Sequence, residues 1–449
     1  MKKLFFAIVL CMTGLSVDAQ NIYNILDYGA KGDGMTDDAV AIQAAIDKCS
    51  DEGGGRVVFP CNHTFLAGPL ELKSNVEMYL EATATLIANP DESIYHLSAF
   101  GKNEGEGMLW IYAKGADNIS ITGKGTIHGN GIKFMGDELE DSYDLKPVTT
   151  FDPRPHVLTL IDCDNVSIRD VTIREGAYWT VHLIGCEGAV IDGIQLLNNL
   201  KIRNGDGIDI DHSKNVRISN CHITSGDDCI CLKNRREYQE YGSCHDIVVT
   251  NCTMSSRSCA IKIGSENMDS IYNVIFDNCI ITRSNRGLGI QNRDEGTVSD
   301  IVFSNIIMDL GLWSDVWWGK AEPIYVTSYP RASINHKDAN WRFPEGQTEG
   351  RCGNVSRIFF NNITATSPNG CFIGGDKPGK VSGIYFNNVR IDLKRPKGML
   401  KSLMDKRPCK GDGFVEVDFD YLQNLSVPVI MENAQVLGDG IINYNENDD

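Results

Sequence analysis

The chain has 449 residues, of which 42% are hydrophobic and 23% are charged, a composition typical of a folded globular protein. Its formal net charge of −18 argues against a nucleic-acid-binding protein, because such proteins present basic surfaces. Beyond the N-terminus no stretch stays apolar for the roughly 18 residues that a spanning helix needs, so we expect no membrane span.

The N-terminus has the pattern of a secretory signal peptide. Lys2 and Lys3 precede an apolar run that continues to Leu15, and the small residue Ala19 offers a cleavage site. We therefore expect residues 1–19 to be removed and the mature protein to be secreted or periplasmic.

The first predicted element of the mature chain is an amphipathic helix. Between Asp37 and Cys49, the side chains of Ala39, Ile42 and Ile46 share one helical face with Cys49. Since the first coil of a repeat protein must be covered, we expect this helix to cap the repeated structure that follows.

The rest of the chain repeats one short pattern. Each copy alternates aliphatic and polar residues and then has a polar residue or glycine at a fixed phase, and neighbouring copies are mostly 23 to 31 residues apart. Alternation of period two predicts a strand, and the fixed Asn, Asp or Gly predicts a turn with a left-handed backbone. We interpret residues 20–449 as a single all-β domain, a right-handed parallel β-helix or solenoid. The turn positions are Gly123, Asp170, Gly193, Asn220, Asn251, Asn278, Asn305, Asn362 and Asn388.

The cysteines are expected to be structural. Cys221, Cys252 and Cys279 each follow the turn residue, which predicts an internal column of buried thiols. Cys229 and Cys231 form a C-x-C pair, and no C-x-x-C occurs in the sequence. We therefore expect no metal site and no cofactor.

One stretch, NGDGIDIDHSKNVRISNCHITSGDDCICLK, combines strand patterns with acidic residues. Aligning its inward aliphatic pairs with those of the next coil places Asp206, Asp228 and Cys259 at one phase, with Asp227 beside Asp228. Adjacent coils lie about 4.8 Å apart, so the three carboxylates should be neighbours. Mutual repulsion would raise at least one pKa. The next outward column is expected to contain Asp209, Cys231, Lys262 and Gln291.

Carboxylates in this arrangement suit a hydrolase, because a protonated acid can donate to a leaving oxygen while an ionised partner activates water. The alternative is an acidic turn or a calcium site, although calcium usually needs more convergent oxygens than one exposed face supplies.

The segments NGDG from Asn204, GDD from Gly226 and IGS from Ile263 resemble glycoside hydrolase family 28, the polygalacturonase family. Its signature is N-T-D-G, then G-D-D, G-H-G and R-I-K, and the resemblance covers most of the mature chain. It implies that Asp227 is the general acid and that Asp206 and Asp228 hold and activate the water. It also implies an inverting, single-displacement mechanism.

The sequence departs from this signature at the basic residues. Cys259 replaces the histidine of G-H-G, while Gly289 and Gln291 replace the Arg and Lys of R-I-K. In the family the basic Arg and Lys of R-I-K bind the sugar carboxylate, so we expect altered substrate choice. The expected substrate-binding residues are Asn204, Asp209, Lys262, Arg286, Gln291, Arg293 and Trp318.

An outward Lys262 next to the aspartates would restore one positive charge. The alternative is a solvated surface lysine.

Trp313, Trp317 and Trp318 interrupt the repeat, and their rings suit either the apolar face of a sugar or a buried cover.

The sequence therefore predicts a secreted, monomeric glycoside hydrolase whose partner is a galacturonate-containing pectic polysaccharide or oligosaccharide. Two alternatives remain open. A polysaccharide lyase would need a calcium cluster and a basic residue that abstracts a proton, and a non-catalytic carbohydrate-binding or adhesion solenoid would not need three aspartates in register.

Overall fold

The computed structural model describes residues 21–100, 107–140, 143, 145–313, 315–330, 351–406, 414–424, 429–438 and 441–445. The predicted signal peptide lies outside this range. Among the described residues, no helix combines the length and the apolar character that crossing a membrane requires.

Two large parallel sheets form the body of the molecule, and the predicted right-handed parallel β-helix is confirmed. In both sheets each strand pairs with the equivalent strand of the next coil. We call the sheet of eleven strands the narrow sheet and the sheet of 23 strands the broad sheet.

The strands of the narrow sheet are Leu70–Glu71, Met108–Lys114, Pro155–Ile161, Val181–Ile184, Ile208–Asp211, Ile230–Asn234, Cys259–Asn267, Arg286–Asn292, Glu322–Ser328, Cys371–Gly375 and Val429–Glu432. The strands of the broad sheet are Ile22–Asn24, Asp33–Asp37, Gly55–Phe59, Thr64–Ala67, Val76–Leu80, Thr85–Ala88, Ser120–Gly123, Thr126–His128, Ser167–Arg169, Thr172–Arg174, Val190–Asp192, Gln195–Leu197, Arg217–Ser219, His222–Ser225, Cys244–Thr250, Thr253–Ser256, Ile271–Asp277, Ile280–Ser284, Val298–Leu310, Val355–Ser367, Val381–Leu393, Val436–Leu437 and Ile441–Asn445.

The turns between strands have the left-handed backbone that the pattern predicts. All nine turn positions identified in the sequence have positive φ, and Asn278, for example, has φ 58°. The Asn side chains also bond from coil to coil: the amide of Asn278 donates to Asn251 over 2.7 Å, and that of Asn388 donates to Asn362 over 2.9 Å. A residue type that tolerates this backbone therefore also links neighbouring coils.

The core consists of inward aliphatic side chains stacked from coil to coil. Ile208 pairs with Ile230, which pairs with Ile261, and all three are fully buried. Cys221, Cys252 and Cys279 are buried as the repeat predicts. Every cysteine that the structure describes is a free thiol.

The predicted capping helix, α1, spans Ala39–Asp51 and buries Ile42, Ala45, Ile46 and Cys49. A second helix, α2, spans Phe419–Asn424. The remaining elements are short 3-10 helices and two antiparallel strand pairs outside the coils. They are the 3-10 helices Ile25–Tyr28, Glu92–Ile94, Gly131–Phe134 and Arg236–Tyr241, and the strand pairs Met135–Glu138 with Val148–Thr150 and Lys401–Asp405 with Phe414–Asp418.

Candidate active site

Three aspartates converge at the turns that lead into two adjacent strands of the narrow sheet. Because Ile208 pairs with Ile230, the residues two positions earlier, Asp206 and Asp228, lie on neighbouring coils. Oxygens of these two side chains and of Asp227 lie within 4.8 Å of one another. The predicted convergence is confirmed, and carboxylates this close also have the spacing of cation ligands.

The aspartates are buried and held by their neighbours. Their exposed fractions are 3% for Asp206, 6% for Asp227 and 1% for Asp228. The backbone N–H of Asn204 donates to Asp227 Oδ2 over 3.1 Å. The backbone N–H of Cys259 donates to Asp228 Oδ1 over 3.2 Å. Asn204 and Cys259 thus both support the carboxylates through their backbone.

Burial changes the protonation of these groups. Desolvation, followed by the charge of Asp228, raises the pKa of Asp227 to about 6. Desolvation, together with the charges of Asp209 and the other two aspartates, raises the pKa of Asp206 well above its ordinary value. The site can therefore hold a proton at mildly acidic pH, as a general acid must.

Lys262 lies beside the aspartates, as its position in the repeat predicts. Its Nζ donates to Asp228 Oδ2 over 2.6 Å, and only 8% of the residue is exposed, so it is not a solvated surface lysine. Burial would lower the pKa of Lys262, but the charge of Asp228 raises it overall. Among the described residues, this ion pair gives Asp228 a positive partner that neither Asp206 nor Asp227 has at this distance.

Asp209 lies in the same outward column as Lys262, one strand before Cys231. It is fully buried, and Lys233 Nζ is 3.4 Å from its Oδ1. Burial raises the pKa of Asp209 to about 7, although Lys233 opposes the shift.

The predicted place of Gln291 in this column is wrong. Lys262 pairs with Gly289, whereas Gln291 pairs with Gly264, two residues further along the strand. The reason is that Leu288 and Ile290 form the inward pair of this strand, so the outward residue between them is glycine.

The other expected binding residues are mostly covered. Arg286 is 1% exposed, and its Nε donates to Glu322 Oε2 over 3.2 Å. Gln291 and Arg293 are 2% and 3% exposed. Trp318 is the exception, with 36% of its surface exposed.

Two of the three tryptophans match the two interpretations that the sequence left open. Trp317 is buried, which fits a structural cover, and Trp318 is exposed enough to contact a ligand. The guanidinium carbons of Arg257 and Arg283 lie 4.9 Å and 4.6 Å from the ring centroid of Trp313.

Sequence reasoning missed the residues on the coils before Asp206. Trp179 and His156 lie two positions before the inward residues Val181 and Leu158, which continue the row of Ile208. Extending the aspartate column toward the N-terminus would have identified both. Lys233, 4.5 Å from the Trp179 ring, could have been found in the same way, since it pairs with Asp211 in the next outward column.

Fold and site together define a parallel β-helix protein with a buried carboxylate centre at the start of two adjacent strands of the narrow sheet. The sequence profile of Glycosyl hydrolases family 28 matches residues 49–311, more than half of the chain. The chain belongs to this family.

Individual relatives agree with this assignment. A probable polygalacturonase from Vitis vinifera is 30% identical over 265 residues, covering 54% of this chain and 51% of that protein. The chain thus spans about half the length of the curated relatives it matches.

Solved structures share the fold. The exopolygalacturonase of Thermotoga maritima superimposes with a TM-score of 0.67 at 21% identity, covering 94% of this chain and 91% of that one. The family 28 exopolygalacturonase of Yersinia enterocolitica gives a TM-score of 0.66 at 20% identity, covering 95% and 78%.

Proposed function

We propose that this protein hydrolyses glycosidic bonds in a galacturonate-containing pectic polysaccharide. The observation that carries the proposal is the pair of unlike carboxylates: Asp227, with a pKa raised to about 6, next to Asp228, which is paired with Lys262 at 2.6 Å. Two neighbouring carboxyl groups in different environments can act as acid and base in one reaction.

In the proposed mechanism Asp227 donates its proton to the glycosidic oxygen as the bond to the anomeric carbon breaks. Asp228 accepts a proton from a water molecule, and Asp206 helps to hold that water while it attacks the opposite face of the sugar. The products are two shorter sugars, and the configuration at the anomeric carbon is inverted.

Inversion rests on the family resemblance rather than on distance. The nearest oxygens of the three aspartates lie within 4.8 Å, whereas inverting glycosidases typically separate their two carboxyl groups by about 6.5–9.5 Å. The anomer of the first product, read by proton NMR, distinguishes inversion from retention.

We further propose a role for Lys262 that differs from simple carboxylate binding. Its ammonium group has three N–H donors, and one of them is used by Asp228. Lys262 is thus proposed to hold and stabilise the carboxylate of Asp228 through a charge-assisted hydrogen bond. Trp318 is proposed to stack on a sugar ring.

The test is a screen of purified pectic fractions for released reducing sugar, with wild-type protein and Asp227→Asn compared. Wild type should release sugar from at least one galacturonate-containing fraction. Loss of a general acid typically costs about 100- to 10,000-fold, so the variant should be nearly inactive while its thermal unfolding is unchanged.

Three outcomes contradict the proposal. Release that stays within a few-fold of wild type in Asp227→Asn shows that Asp227 is not the acid. Unsaturated products that absorb in the ultraviolet show a lyase instead. Binding of the polysaccharide without any cleavage shows a carbohydrate-binding solenoid.

A further inference from the structure

Two arginines and a tryptophan lie together on the coils that follow the aspartates. The guanidinium groups of Arg257 and Arg283 both pack against the ring of Trp313, with carbon-to-centroid distances of 4.9 Å and 4.6 Å. Arg257 is 4% exposed, Trp313 is half-buried and Arg283 is exposed. The cluster therefore reaches from the interior to the surface. We call Arg257 and Arg283 the arginine pair.

The backbone places the arginine pair close to the general acid of the proposed mechanism. Arg257 directly follows Ser256, whose hydroxyl donates to the backbone carbonyl of Asp227. Arg257 Nη1 in turn donates to the backbone carbonyl of Arg283 over 2.6 Å. Because adjacent coils are about 4.8 Å apart, the two arginines lie one and two coils beyond Asp227.

A β-bulge sets the direction of Arg283. Thr282 pairs with Asp309 and Ser284 pairs with Leu310, so Arg283 is an extra residue in its strand. Its φ of 53° is left-handed, which is unfavourable for an arginine. Bulges beside functional sites commonly re-aim a side chain, and this one accompanies the contact between Arg283 and Trp313.

The arginine pair carries positive charge that no carboxylate of the described residues neutralises. Neither guanidinium forms an ion pair there, and Arg257 Nε is buried without a hydrogen-bond partner. Desolvation, followed by the charge of Arg283, lowers the pKa of Arg257 to about 10. Buried donors without an acceptor are unfavourable, so an anion would complete this cluster.

The basic side chains of the narrow sheet differ from the arginine pair, because they already have acidic partners. Three of them lie 2.6, 3.4 and 3.2 Å from a carboxylate oxygen, and they are Lys262, Lys233 and Arg286. The arginine pair is therefore better suited to an anion that comes from outside the protein.

We propose that the arginine pair binds a carboxylate of the acidic polysaccharide. A guanidinium group offers a carboxylate two parallel N–H donors, and the ring of Trp313 holds both groups by cation–π contacts. The proposal rests on the galacturonate-containing substrate of the proposed function. It adds the residues that select an acidic sugar where the basic residues of R-I-K are missing.

The test measures the binding of trigalacturonate by calorimetry, with its fully methyl-esterified form as a neutral ligand of equal length. Every protein carries Asp227→Asn, so that the ligand is not cleaved. Adding Arg283→Met or Arg257→Met should weaken trigalacturonate binding about 10- to 150-fold and change binding of the ester only a few-fold. Arg217→Met is the matched control, because Arg217 is an exposed arginine on a strand of the broad sheet, and it should leave both affinities unchanged.

Thermal unfolding checks that each variant is folded, and Arg283→Met decides if the buried Arg257→Met does not fold. Folded variants that bind trigalacturonate as tightly as the parent would overturn the inference, even if they are less stable, since the pair would then only hold Trp313. Equal losses on the acid and the ester would overturn it as well, and so would a parent protein that does not bind trigalacturonate.

Sugar release by wild-type protein tests the proposed function separately. Release from a pectic fraction, together with unchanged binding by the arginine variants, would overturn the inference alone. Binding that depends on the arginine pair, without release from any fraction, would support the inference and refute the proposed hydrolysis.

Discussion

Replacing Lys262 with Met should move the pH dependence of the reaction rather than simply weaken substrate binding. Lys262 Nζ lies 2.6 Å from Asp228 Oδ2, and the two side chains are 10% and 1% exposed. Met keeps most of the volume of lysine but removes the positive charge. Asp228 would then be a buried carboxylate next to Asp206 and Asp227, with no cation at this distance in the part of the chain that the structure describes.

The size of the effect follows from this pair. A hydrogen bond to a charged group contributes about 1.5–3 kcal/mol, and Lys262→Met removes this stabilisation from the carboxylate of Asp228. The reaction needs Asp228 ionised while Asp227, with its pKa of about 6, stays protonated. At a pH on the acid side of both profiles, every 1.4 kcal/mol of this lost stabilisation lowers activity about tenfold. The expected activity loss at such a pH is therefore about 10- to 150-fold.

The assay is the pH profile of kcat/KM for wild type, Lys262→Met and Lys262→Arg. The acid limb should move to higher pH in Lys262→Met and should return toward wild type in Lys262→Arg, which keeps the charge. Thermal unfolding of each variant checks that the fold is retained. A profile of unchanged shape, with a loss confined to acidic substrates and absent on neutral ones of equal length, would refute this reasoning. Lys262 would then bind the substrate carboxylate and would not support Asp228.

The acid, the product anomer and the turns each allow a further prediction. The basic limb of kcat/KM should have its midpoint near pH 6, because activity is lost as the raised pKa of Asp227 is passed; a limb several pH units higher would exclude Asp227 as the acid. Proton NMR of the first products should show the inverted anomer, and a retained anomer would contradict single displacement. Asn278→Ala should lower the free energy of unfolding by about 1–2 kcal/mol, since alanine is strained at φ 58°. Asn278→Gly should be less destabilising, and denaturant unfolding measures both; an alanine variant as stable as wild type would show that the left-handed turn is not a constraint there.

The fold could be predicted from local patterns because each coil repeats the same physical constraints. Alternation of period two sets the inward row that contains Ile208, Ile230 and Ile261, and this row fixes the register of the aspartates. Asn at the turns carries the second signal, because its side chain tolerates a left-handed backbone. The alternation and the turn Asn are both local in the sequence, because each determines the backbone of residues only a few positions away.

Other parts of the site depend on contacts that local patterns do not contain. The place of Gln291 is ambiguous in the sequence because its strand has glycines around the inward pair, which blurs the alternation. The hydroxyl of Tyr238 donates to the backbone carbonyl of Ala99, beside Phe100, and these residues are far apart in the chain. The ion pair of Lys262 with Asp228 depends on side-chain direction, so the sequence predicts the neighbourhood of the lysine but not its partner.

The most direct test of the account compares two leaving groups in Asp227→Asn. A general acid is needed only when the departing oxygen is a poor leaving group, and an activated aryl galacturonide does not need that proton. Asp227→Asn should therefore lose about 100- to 10,000-fold on the polysaccharide but only a few-fold on the aryl substrate, whereas Asp228→Asn should lose activity on both. Equal losses of Asp227→Asn on the two substrates would contradict the assignment of Asp227 as the acid and, with it, the central claim.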